Sequence, residues 1–292
     1  MKNKRMMAAI FALLAAALYA INIPFSKLLM AHAGEKMMAG FLYLGAGAGM
    51  LLYRTGRKLA GHADRQAPLT RKELPYTVAM IVLDIAAPIF LMYGLRRTAG
   101  ANASLLNNFE IVATSLIALL IFKEKISRRL WLAIMLVIAS SVILTFEGAE
   151  SLNFNAGSLY VLAACVCWGF ENNCTRMLSH KSSEEIVVIK GLCSGAGALV
   201  ITLCTGEVLP GVIWMLLIML LGFVSYGMSI NFYIMAQKDL GAAKTSAYYA
   251  VAPFMGVLFS VLLGERLNVQ FFLGLAVMIA ATVLLVRDTM AE

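Results

Sequence analysis

Apolar stretches of about twenty residues, broken by short polar loops, recur from one end of this chain to the other and leave few folds open. A helix rises about 1.5 Å per residue, so roughly 20 residues cross the ~30 Å hydrocarbon core of a bilayer. Ten such runs can be drawn: 7–30, 36–53, 73–95, 100–121, 129–146, 157–178, 185–205, 212–236, 242–263 and 269–286. The chain is 61% hydrophobic with a mean hydropathy of +0.83 and 14% charged residues, against roughly 25% charged in a soluble domain. Its solvent is lipid. Backbone groups in lipid must be hydrogen-bonded within the chain, and the weak ten-residue alternation of a membrane barrel is missing. The expected fold is all-α integral membrane, with ten transmembrane helices.

Lys2, Lys4 and Arg5 precede the first run much as bases precede a secretory signal. That run continues without a small-residue cleavage site, which makes it an uncleaved first helix. With a cytoplasmic amino terminus, the bases outside helix interiors fall on the cytoplasmic side except for Lys27, Lys36, Arg96, Arg97 and Arg266. The positive-inside rule therefore places both termini in the cytoplasm of a multi-pass protein of the plasma (inner) membrane. The same rule accounts for the formal charge of +8: the bases lie in short loops rather than on one face, so a lipid bilayer and not nucleic acid is the expected partner. The five cysteines, Cys165, Cys167, Cys174, Cys193 and Cys204, fall in the sixth and seventh runs, where they behave as small apolar residues. His32, His62 and His180 are scattered through loops. No metal site and no cofactor is implied.

The chain also repeats itself. Residues 94–145 lie over 235–286 without a gap, matching at Gly100/Gly241, Ala101/Ala242, Glu124/Glu265, Leu132/Leu273, Ile138/Ile279, Ala139/Ala280, Val142/Val283 and Leu144/Leu285. Each copy begins Gly-Ala, runs about 20 apolar residues to a Glu followed by a base (Glu124-Lys125, Glu265-Arg266), and continues into a second apolar run. The earlier part of each unit corresponds too: Tyr19 to Lys27 lies over Trp168 to Arg176, each aromatic followed eight positions later by a base. The units are 1–150 and 151–292. Five helices is an odd number, so the second unit enters the membrane from the opposite side and the two repeats are inverted, a plan that points first to transporters.

These features resemble the drug/metabolite transporter superfamily, specifically its EamA-type members. The resemblance rests on the ten-helix plan, the aromatic-to-base stretches Tyr19–Lys27 and Trp168–Arg176, and the Gly-Ala to Glu-Lys or Glu-Arg spacing in both halves. Tyr19-Ala20 stands where Trp-Gly is commoner, and Lys123 rather than Gly precedes Glu124. The resemblance implies a central cavity lined by helices one, three, four, six, eight and nine.

An ionisable side chain inside a membrane helix costs at least about 2.5–3.5 kcal/mol, so it needs a cavity, a partner or a function. Asp84, Glu110 and Glu171 meet that description and are the proton-coupling candidates. Their repeat partners are Ser225, Val251 and Asn22, so the fold does not require acids there. Helical spacing sets Asn107, Glu110, Ile111 and Thr114 along one side of helix four. On the helices that the resemblance marks, the substrate-binding or cavity-lining candidates are Tyr19, Asn22, Asp84, Asn107, Glu110, Trp168, Glu171, Asn172, Tyr226, Asn231 and Tyr248. The bland alternative for each Asn and Tyr is a bond between neighbouring helices. Lys27 and Arg176 are helix-end charges, either snorkelling or acting as a gate, while Glu124-Lys125 and Glu265-Arg266 read as structural turns. Gly45-Ala46-Gly47-Ala48-Gly49 and Gly191-Leu192-Cys193-Ser194-Gly195 are small-residue surfaces for close packing, within the protomer in preference to a dimer. Pro24, Pro88 and Pro253 mark places where helices one, three and nine can kink.

No GxxxxGK[ST] loop occurs, so an ion gradient is the expected driving force. The reading is a secondary-active carrier, by default an exporter, of small cationic or zwitterionic solutes such as amino acids or amines, in which proton and substrate compete for one carboxylate. No catalytic residues are assigned: HExxH, GxSxG and an intramembrane His are missing, which sets an intramembrane enzyme or a sensor second. Within transporters, nucleotide-sugar or uptake carriers are the alternatives.

Overall fold

A computed structural model describes residues 2–61, 67–121, 123, 127–145, 155–178, 181–240, 245 and 248–289. The helices are α1 (Lys2–Ala20), α2 (Asn22–Leu29), α3 (Glu35–Leu59), α4 (Leu74–Leu95, entered through a 3-10 turn at Arg71–Glu73), α5 (Gly100–Leu106), α6 (Phe109–Leu120) and α7 (Arg128–Thr145). After residue 155 come α8 (Ala156–Leu178), α9 (Ser183–Cys204), α10 (Val212–Gly222), a π-helical stretch at Phe223–Met228, α11 (Ser229–Leu240), α12 (Ala252–Leu262) and α13 (Val269–Thr289). Among the described residues the only β pairing is an isolated bridge between Ala67 and Lys181.

Among the described residues six segments are long and apolar enough to cross a membrane: Met6–Leu29, Arg71–Leu95, Gly100–Leu120, Arg128–Thr145, Ser183–Cys204 and Val212–Ala236. Two shorter apolar helices, Ala252–Leu262 and Val269–Leu284, accompany them. The exterior is apolar, with Leu52, Leu120, Leu262 and Val269 each more than 70% exposed. A soluble protein rarely presents such a surface; lipid covers it. This is an all-helical, multi-pass membrane protein.

The main helix contacts pair α3 with α9, α4 with α8, α7 with α13 and α1 with α11. Each pair takes one helix from either side of residue 150, so the halves interleave and share one core around Met37, Met38, Leu42, Leu91 and Leu105. Glycine permits the closest approaches. A Cβ on Gly191 would strike the backbone of Gly47, and one on Gly45 or Gly222 would strike the backbone of Met219 or Leu42. Both small-residue surfaces are thus used within the protomer, joining α3 to α9 and α10.

Among the described residues four interruptions break otherwise long helices. Ile21 separates α1 from α2, three residues before Pro24, whose ring nitrogen cannot donate to Ala20. Asn107 and Asn108 separate α5 from α6, the π-helical stretch separates α10 from α11, and a turn at Ala250–Val251 leads to Pro253 in the first turn of α12. Pro88, by contrast, lies inside a continuous α4.

Because no flexible side chain can yield at the Gly47–Gly191 crossing, Gly191→Val is expected to destabilise the fold by about 1–3 kcal/mol. Gly56→Val, with nothing within 4 Å of its Cβ, is expected to be neutral apart from helix propensity. Unfolding midpoints of the purified variants check the pair.

Candidate functional site

The interruptions surround a cluster of buried polar side chains drawn from both halves. At its centre Lys190 of α9 extends its ammonium to two acids: Nζ lies 3.1 Å from Asp84 Oδ2 on α4 and 3.0 Å from Glu171 Oε1 on α8. Asp84 is fully buried and Glu171 is 2% exposed. Tyr43 of α3 donates its hydroxyl to Asp84 Oδ1 at 2.9 Å, and Trp168 Nε1 donates to the Tyr43 oxygen at 3.3 Å. Thr175 donates to Glu171 Oε1. Four helices are thereby tied by one ion cluster. Stripping water from each ion costs several kcal/mol, and only close pairing offsets that cost.

A second network adjoins the first. Asn172 Nδ2 donates to Glu110 Oε1 at 2.6 Å and to Thr114 Oγ1 at 3.3 Å, which joins α8 to α6. The neighbouring Asn173 donates to the Thr114 carbonyl at 3.1 Å. The helical stripe expected on helix four is therefore directed at α8 and α1, with Asn107 donating to Tyr19 Oη at 2.8 Å. At the break in the first helix Asn22 donates to Tyr226 Oη at 2.9 Å and accepts from Ser26 at 3.2 Å.

Tyrosine rings continue the site. Centroids are 5.1 Å apart for Tyr43 and Tyr226, 6.1 Å for Tyr226 and Tyr19, 5.6 Å for Tyr19 and Tyr249, and 5.1 Å for Tyr249 and Tyr233. An aromatic wall thus runs from the ion cluster towards α11. Its faces can hold a cation or an apolar side chain, and its hydroxyls can donate or accept.

Of the residues expected from sequence, Tyr19, Asn22, Asp84, Asn107, Glu110, Trp168, Glu171, Asn172 and Tyr226 come together in these linked networks. Asn231 is buried on α11, with its amide 3.8 Å from Met235 Sδ rather than in either network. Tyr248 is half-buried, and its neighbour Tyr249 is the one that meets Tyr19 and Tyr233. Lys190, Tyr43 and Tyr249 were not among the expected residues. Lys190 satisfied the criterion that singled out the acids, an ionisable side chain within an apolar run; Tyr43 carried no such signal. Among the described residues no group of three His, Cys, Asp or Glu side chains is arranged to hold a metal ion.

The repeated Gly-Ala and Glu elements meet across the halves. Glu265, from the turn between α12 and α13, accepts from the Gly100 and Ala101 backbone N–H groups at 2.7 Å through its two oxygens. Lys27 lies 2.9 Å from Glu265 Oε1 and donates to the Thr98 carbonyl at 2.7 Å. One half's motif therefore caps the other half's helix, and Lys27 balances the charge. Gly241, Ala242, Glu124 and Lys125, the other copy, lie outside the described residues, as do His62 and His180; Arg176 ends α8 at an exposed position. Further ion pairs lie at the two ends of α3. Glu35–Arg96 at 2.6 Å and Lys36–Glu207 at 3.3 Å lie at one end, with Arg57–Glu184 at the other.

The EamA-like transporter family matches the chain twice, over residues 6–146 and again over 155–287. The chain belongs to the EamA-like transporter family, within the drug/metabolite transporter superfamily. An uncharacterized transporter of Methanothermobacter thermautotrophicus is 26% identical over 223 residues, which cover 71% of this chain and 63% of that protein. The chain thus spans under two thirds of that relative's length. An uncharacterized transporter of Bacillus subtilis, YyaM, is 20% identical over 228 residues, covering 74% of this chain and 73% of its own. A crystal structure titled only as that of a protein superposes with a TM-score of 0.69 at 16% identity, covering 95% of this chain and 94% of that one. It shows the same fold.

Glu265→Ala leaves two backbone N–H donors at the start of α5 without their acceptor and is expected to destabilise the protein by about 1–2 kcal/mol, as loss of a helix cap does. Once Glu265 is gone, Lys27→Met is expected to add little. A double-mutant cycle on unfolding midpoints measures the coupling.

Proposed function

We propose that this protein is a secondary-active transporter whose two halves form inverted repeats of five membrane-spanning helices each. In this reading both termini lie in the cytoplasm and the protein sits in the plasma membrane. The halves rock about the central polar cluster, which faces each side of the bilayer in turn, and the physiological direction is export. The observation that carries the reading is the Asp84–Lys190–Glu171 cluster at the place where helices of both halves interleave. Charge at that depth is costly to a fold that needs only packing. A carrier needs it, because a substrate must find in the protein the polar partners it gives up in water. The two family matches at residues 6–146 and 155–287 support the duplication.

The substrate is a small cationic or zwitterionic solute. Glu110, Asp84 and Glu171 together outnumber the Lys190 ammonium, so the cluster disfavours an anion. The tyrosine wall from Tyr43 to Tyr233 suits an ammonium group or an aliphatic chain. Protons compete with substrate for the carboxylates, which couples export to the proton gradient. Lys27 with Glu265 supplies one gate, and Arg176, at the equivalent position of the other repeat, serves the opposite side.

The test is flux in proteoliposomes under an imposed pH gradient, screening amino acids, amines and organic cations. Saturable, gradient-driven flux is expected for at least one cation or zwitterion. Glu171→Gln is expected to abolish its dependence on the gradient, and Glu110→Gln to weaken it. Coupling unchanged in both variants removes these acids from the mechanism.

A further inference from the structure

The cluster is unbalanced as built: two carboxylates, Asp84 and Glu171, share one ammonium. Lys190 Nζ lies almost equally far from the two, 3.1 and 3.0 Å, so neither acid owns the charge. Asp84 Oδ1 accepts from Tyr43, whereas Oδ2 has no properly aligned hydrogen-bond donor although the ammonium is close. The Lys190 ammonium at 3.1 Å is the partner of that oxygen, and the imbalance is one of charge. With both acids ionised, the three groups would carry one uncompensated negative charge at a fully buried site, a cost of several kcal/mol.

Resting on the transporter reading above, we propose that Lys190 sets the charge capacity of this site at one. The Asp84–Lys190–Glu171 cluster holds a single further positive charge, a proton when empty or the cationic group of a substrate when loaded. Loading is then an exchange. The carboxyl O–H gives its proton to solvent, and a substrate N–H takes the vacated place on the same oxygen, while Lys190 moves wholly onto the other acid. Its unbranched four-carbon stem and rotatable ammonium suit that movement, which a rigid guanidinium fork would make less readily. One proton leaves for each monovalent cation bound. A dication or an anion does not balance the site.

The other titratable groups near the cluster are Tyr43 on α3, Glu110 on α6, Cys167 and Cys174 on α8, and Tyr226 in the π-helical stretch. Only Glu110 among them is a carboxyl. Replacing it leaves a spectrum in which the cluster's own acids can be counted.

Infrared spectroscopy of the full-length protein in lipid at neutral pH, in a Glu110→Gln background, counts protonated carboxyls through their carbonyl stretch. One band is expected in this background. Adding Asp84→Asn or Glu171→Gln is expected to remove it, since Lys190 then balances the remaining acid. Adding Lys190→Met is expected to double it, and Lys190→Arg to keep one. Methylammonium chloride is expected to bleach the band in the background protein, with one proton released for each cation bound. Absence of the band, its survival in both single-acid variants, an unchanged area in Lys190→Met, or a band that methylammonium leaves intact would each overturn the proposal. Should Lys190→Met fail to fold, the two acid variants decide the matter, because each leaves a neutral pair. If the infrared pattern holds while proteoliposomes move no solute, the transporter reading fails and the charge capacity stands.

Discussion

Two carboxylates and one lysine held out of water set the terms for the rest of this molecule. Lys190 reaches Asp84 and Glu171 from a third helix, and Tyr43 on a fourth fixes the remaining oxygen of Asp84. Removing Lys190 would leave both acids without a counter-charge, at a cost of about 3–5 kcal/mol. The helices carrying these groups therefore have to arrive together. The α3–α9 and α4–α8 pairs, each built from both halves, are joined by this cluster and by the Trp168 to Tyr43 bond. Glycines at the α3–α9 crossing bring the backbones close enough for the reach of a lysine to suffice.

Duplication gives this arrangement a reason. The family model matches both halves, the halves share one core, and the Glu265 carboxylate on the Gly100–Ala101 backbone ties one half to the other. Such contacts are local, polar and partly exposed, whereas the central packing is apolar and extensive. Contacts of the first kind can break and reform without dissolving the core. The helix interruptions at Ile21, Asn107–Asn108, the Phe223–Met228 stretch and Ala250–Val251 supply further compliance. Asn22, Asn107, Tyr226 and Tyr249 lie at or beside these interruptions, so the irregular backbone and the polar side chains fall in the same part of the protein.

Much of this was legible in the sequence, and for physical reasons. Lipid imposes length and apolarity on a helix, so the six membrane-length segments among the described residues fall on apolar runs drawn from the residues alone. Ionisable groups are scarce in such runs, so Asp84, Glu110 and Glu171 stood out. Lys190 obeys the same rule, and its ammonium adds a base to the three acids singled out. Tyr43 and Tyr249 were illegible for another reason. A tyrosine belongs equally to a core, an interface or a site, and only tertiary position separates these roles: Tyr249 faces Tyr19 while Tyr248, one residue earlier, does not. The breaks at Asn107–Asn108 and in the π-helical stretch have no proline to announce them. The meeting of Glu265 with Gly100 joins residues 165 apart in sequence; the repeat indicated that both elements mattered, though not that they touch.

The central claim is that one buried site serves both sides of the membrane. The most direct measurement places a single cysteine beside the cluster, Thr175→Cys in a chain stripped of its own five cysteines, and reacts it with a membrane-impermeant thiol reagent added to right-side-out or inside-out vesicles. The account predicts labelling from both sides, with Glu265→Gln raising the rate from one side and lowering it from the other. Labelling from one side alone, with rates indifferent to Glu265, would contradict it.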